Sequence, residues 1–116
     1  MNLDEAISTH TGWKLRFRAA MNQKQQLDAE SISKDDCCEL GRWLHGEGKA
    51  KHGGRPEFLV AMERHRQFHV EAGKVAQLVN AQQYTQVEKQ MANGSTYAQA
   101  SSAISNAIIQ LRKAIG

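Results

Sequence analysis

The residues able to do chemistry in this chain are five histidines and two adjacent cysteines, Cys37 and Cys38. His10 stands between Ile7 and Trp13 on an apolar stripe, and His65 and His69 stand four apart in line with Phe58, Met62 and Ala72. Residues four apart lie one turn apart on the same helix face, so these two imidazoles point the same way. A buried polar group without a partner costs about 1–3 kcal/mol, so inward imidazoles must be hydrogen-bonded, paired or metal-bound. One such histidine is ordinarily a satisfied core residue, and one such cysteine a small buried hydrophobe. Three histidines on two helices and a thiol on a third supply the ligand types and number of a tetrahedral zinc site.

Two catalytic metal sites fail on residue type. A zincin helix carries a glutamate directly after its first histidine as general base, and Arg66 holds that place in His65-Arg66-Gln67-Phe68-His69. A di-iron bundle needs several inward carboxylates, whereas Glu57, Glu63, Glu71 and Glu88 mostly fall off the apolar stripes. The expectation is therefore a non-catalytic site. Neighbouring cysteines cannot staple a small secreted fold, because a bridge between them closes almost no loop. Two thiols, with no continuous apolar stretch in the first twenty residues, point to the reducing cytoplasm.

Helices must position these groups. The chain has 116 residues, one proline, 41% apolar and 23% charged side chains, which fits one domain spanning 1–116. Leu3, Ala6, Ile7, His10, Trp13, Phe17, Ala20 and Met21 mark one amphipathic helix over about 2–22. Gln23 to Ser31 reads as a loop with a few helical residues of its own, and Ser33, three residues before Asp36, opens a short helix through Cys37, Cys38, Leu40, Trp43 and Leu44. His45 to Gly54, with four glycines and no periodicity, reads as a loose connection that leaves His45 and His52 in solvent. Pro56 is pre-set for the start of a long helix carrying Phe58 to Val79. A break follows at Asn80–Gln83, then a short helix with Tyr84, Val87 and Met91 closed by Asn93-Gly94. Ser95 caps the last helix, with its stripe of Tyr97, Ala100, Ile104, Ala107, Ile108, Leu111 and Ile115.

Such stripes predict an all-α fold, an antiparallel four-helix bundle with a short extra helix and the metal site in its core. No apolar run is long enough to cross a membrane. The net charge of +3 comes from scattered Lys and Arg with few aromatics between them, which gives no footprint for nucleic acid.

Three segments, taken together, closely resemble the chemoreceptor zinc-binding (CZB) domain family. They are His10-Thr11-Gly12-Trp13-Lys14, Cys38-Glu39-Leu40-Gly41-Arg42-Trp43 and His65-Arg66-Gln67-Phe68-His69, with Cys38 28 residues after His10 and His65 27 after Cys38. The resemblance implies a cytoplasmic bundle that binds one Zn2+ through His10, Cys38, His65 and His69. It implies a place in bacterial signalling proteins of the chemotaxis-receptor or diguanylate-cyclase type, sensing zinc or oxidants such as hypochlorous acid through the ligand cysteine. A homodimer and an output domain or chemotaxis proteins are the implied partners. Helical spacing alone favours Cys37, which falls in line with Leu40 and Leu44, as the inward thiol; the family motif, counted back from Leu40-Gly41-Arg42-Trp43, selects Cys38. Gly41, one turn on, would let a neighbouring helix or the metal come close. Cys37 is then a bystander or second thiol, Trp13 and Trp43 wall the site against water, and the Cys38 helix is the part expected to move.

Overall fold

A computed structural model describes residues 1–116, and every regular element in it is a helix. Eight helices follow in order: α1 (Leu3–Thr11), α2 (Trp13–Gln23), α3 (Ala29–Ile32), α4 (Glu39–His45), α5 (Glu47–His52), α6 (Pro56–Asn80), α7 (Tyr84–Met91) and α8 (Thr96–Ile115). The particle measures 42 × 25 × 19 Å. Helix α6 packs along α8, α1 lies on α8, α2 and α3 lie on α6, and α7 bridges α6 and α8. No helix is long and apolar enough to cross a membrane.

The helix starts follow local chemistry. Asn2 caps α1 by accepting from the Glu5 amide at 3.0 Å, and Asp4 and Glu5 sit at the positive end of its dipole. Pro56 opens α6, and Ser95 caps α8 by accepting from the Ala98 amide at 3.1 Å. Gln82 and Gly94 take left-handed backbone, φ 58° and 84°, at the two turns that flank α7. Phe17, Phe58, Phe68, Ile104, Ile108 and Leu111 are sealed in one core, each contributing about 1.5–3 kcal/mol of apolar burial.

Three expectations need correction. The first helix is divided at Gly12, although Gly12 keeps helical angles and its amide still bonds to the Ser8 carbonyl. Ser33 does not open the cysteine helix; its hydroxyl turns back to the Glu30 carbonyl at 2.7 Å, and Cys38 is the residue that caps α4. Residues 45–54 are not a loose connection. They contain α5, with Gly48 buried because the Trp43 indole lies where a side chain would be: a Cβ there would come within 2.7 Å of the ring. Gly48 thus serves as packing surface, and α5 packs against α4.

Candidate metal centre

Three elements bring the four side chains together. His10 comes from the last turn of α1, His65 and His69 from the middle of α6, and Cys38 from the cap position of α4. Their ligand atoms all lie within 4.8 Å of one another. His65 Nε2 is 3.1 Å from His10 Nε2 and 3.0 Å from His69 Nε2. Cys38 Sγ is 3.3, 3.6 and 3.9 Å from the Nε2 atoms of His65, His69 and His10. The edges of a tetrahedral zinc site with ordinary Zn–N and Zn–S bonds are about 3.3 Å between nitrogens and about 3.6 Å between nitrogen and sulfur. Five of the six edges of the cluster lie within about 0.3 Å of those lengths.

Proton placement makes the fit sharper. His10 Nδ1 is 2.7 Å from the Ala6 carbonyl and His69 Nδ1 is 2.8 Å from the Ile32 carbonyl. A carbonyl only accepts, so each Nδ1 carries the proton and donates it, which leaves each Nε2 as a bare lone pair in the neutral ring. The rings are neutral because burial removes water from the charged form: His10 is pushed down to about 4, and His65, with His69 and His10 also beside it, to about 2. His69 is lowered by the same burial, partly offset by the Ile32 carbonyl. Lone pairs so close repel one another unless a cation or shared protons stand between them. Outward donation to a carbonyl is also how ligand imidazoles are ordinarily oriented. His65 Nδ1 alone has no partner.

The thiol side is built differently. Burial pushes the Cys38 thiol up, and the backbone amides of Gly41 and Leu40 pull the other way. The Gly41 amide donates to Sγ at 3.3 Å, so the sulfur caps α4. Gly41 is required by the chain itself: a Cβ would lie 1.9 Å from the Asp35 carbonyl oxygen. The close neighbour is therefore the Asp35-Asp36 backbone, where the sequence suggested another helix or the metal.

Cys37 points to solvent, with its sulfur 3.6 Å from an Asp36 carboxylate oxygen and outside the cluster. Trp13 is buried against Phe17 and lines the cavity that holds Cys38 and His69. Trp43 is a correction: it packs on Gly48, Phe58 and His52, on the seam of α4, α5 and α6. His52 is half-buried there, whereas His45 is exposed, 3.3 Å from an Asp35 carboxylate oxygen. The wall that spacing did not single out is Phe68, edge-on to His10 and His69 with ring centroids 5.3 and 5.4 Å away. Its signal was its place on the inner face, one turn after His65 and beside His69.

Fold and cluster together define a helical domain with a buried His3Cys group able to hold a metal ion. The profile of the chemoreceptor zinc-binding domain family matches residues 10–76, from the first histidine of the cluster to a turn or two beyond the last, and the chain belongs to that family. Neither the curated proteins nor the solved structures yielded a match.

Proposed function

We propose that the chain binds one zinc ion through His10, Cys38, His65 and His69 and acts as a non-catalytic sensory domain of a cytoplasmic signalling protein. The observation that carries this reading is the convergence of three imidazole Nε2 atoms on the Cys38 sulfur, two of them left as lone pairs by Nδ1–H donation to carbonyls. Four protein donors fill a tetrahedral ion, which leaves no position for a substrate water. Bound zinc would keep the sulfur as thiolate at neutral pH, where burial alone favours the thiol.

Cys38 is the reactive member. It is half-buried where the three imidazoles are sealed. With hypochlorous acid, its sulfur gives an electron pair to oxygen, the O–Cl bond breaks, chloride leaves and a sulfenic acid remains. A sulfenic acid is a poorer donor and a poorer cap, so both the metal and the start of α4 loosen together. The output domain, the chemotaxis partners and a homodimer belong to this reading through the family.

The burial of the imidazoles favours a second reading, a structural module in which zinc only holds the helices together for a protein partner. Mild oxidant separates the two. A sensor releases zinc in step with Cys38 oxidation and keeps most of its helicity by circular dichroism. A structural module keeps its zinc, or loses zinc and helicity together.

A further inference from the structure

A cavity of about 510 Å³ lies between α2, the turn after it, α3 and the cysteine segment, with Trp13, Arg16, Gln26, Ile32, Cys38 and His69 in its wall. It is the broad approach to the thiol. The other opening that reaches Cys38, on the α1 side, has about 60 Å³. The Arg16 guanidinium carbon stands 3.7 Å from the centre of the Trp13 ring, a cation–π contact that holds a flexible side chain in place. No carboxylate pairs with Arg16, while every ion pair of α6 and α2 nearby uses another arginine or lysine. The acid in the same wall, Asp28, is not paired with Arg16: it accepts from the Ser31 amide and hydroxyl at 3.2 and 2.8 Å as the cap of α3, and these bonds keep it negatively charged.

We infer that this cavity is the route by which small anionic thiol reagents reach Cys38, and that Arg16, seated on Trp13, selects them over neutral ones. This rests on the sensing reading and names the class of reagent that it would favour. A fixed guanidinium at the mouth of a partly enclosed cavity raises the local concentration of anions, and its planar fork suits a carboxylate or sulfonate. The volume exceeds what an oxidant of two or three heavy atoms needs, and fits an amino-acid-sized electrophile with an anionic tail. The sulfur gives its electron pair to the electrophilic atom, the bond from that atom to its leaving group breaks, and the leaving group departs with that pair. Arg16 takes no part in bond making. It is a positioning residue.

The test compares iodoacetate with iodoacetamide, which differ in charge but share the step: an S–C bond forms, the C–I bond breaks and iodide leaves. The zinc-loaded full chain carries Cys37→Ser so that Cys38 is the single thiol, and alkylation is followed by intact mass together with zinc content. Arg16→Gln is expected to lower the iodoacetate-to-iodoacetamide rate ratio about three- to tenfold, with zinc content unchanged. Arg16→Lys is expected to restore much of it, and added salt to erase the difference. Rates that fall equally for both reagents, or a ratio that does not move, overturn the proposal. Resistance of Cys38 to every oxidant would remove the sensing reading instead, and the iodoacetate ratio, measured on the same chain, would still decide the role of Arg16.

Discussion

The two halves of the metal centre are held in opposite ways. The imidazole half stands on α1 and α6, with His10, His65 and His69 at 2% exposure or less and two of the rings anchored to carbonyls. The thiol half stands on the cap of a seven-residue helix, half-buried, beside an exposed second cysteine. A long packed helix positions side chains through many contacts, whereas a cap is positioned by a few hydrogen bonds. The centre therefore has a rigid cup and a removable fourth ligand. In the proposed reading, that division gives zinc release a defined place to begin.

The comparison breaks most visibly when the metal is removed. The chelated chain is expected to lose about 4 kcal/mol of stability at a zinc concentration that had been a thousand times the Kd, seen as a fall in Tm of roughly 15 °C. Hydrogen exchange should rise first at α4 and last in α6. Uniform loss would erase the distinction between the halves.

Acid should attack the cup. In the metal-free chain His10 ionises at about 4 when folded and 6.5 when unfolded, so between those values the unfolded state binds the extra proton. Stability is then full above pH 6.5 and falls as pH drops towards 4, by on the order of 3 kcal/mol from His10 alone. Urea midpoints at pH 7 and pH 4.5 check this. A flat profile would mean that the imidazoles are not sealed.

Gly41→Ala strikes the thiol half. Its Cβ would overlap the Asp35 carbonyl, and about 2–3 kcal/mol of stability should be lost as the 35–41 backbone shifts. Zinc affinity should fall with it. Asn80→Ala is a milder probe of the cup's edge. Its side chain accepts from the Leu27 amide at 2.7 Å and donates to the Leu27 carbonyl at 2.8 Å, so about 1–2 kcal/mol is at stake. Zinc content should stay at one equivalent, since α3 also keeps the His69–Ile32 bond and the close seat of Ser33 on Gly73.

How legible each half was in the sequence follows the same physics. Helix α6 reads directly, because its inner stripe repeats for about six turns from Phe58 to Val79 and carries both histidines. Helix α8 reads as well. The cysteine half did not. Helical spacing aligned Cys37 with Leu40 and Leu44, but α4 begins only at Glu39, so helical periodicity does not extend back to the cysteines. Cys38, in extended backbone at the cap, turns its sulfur into the core, and only the motif indicated that. Helix α5 was hidden because glycines signal loops locally, whereas Gly48 answers a tertiary demand from Trp43. The scattered basic residues looked uninformative as a total, yet one of them, Arg16, is seated on the Trp13 ring, which spacing did not foretell.

The central claim is that Cys38, and not its neighbour, completes a three-histidine zinc site. Elemental analysis of three purified chains tests it most directly: wild type, Cys37→Ala and Cys38→Ala, each with helicity checked. One equivalent of zinc in the first two and a loss of bound zinc in the third is the predicted result. Full zinc in Cys38→Ala, with loss in Cys37→Ala, would contradict it.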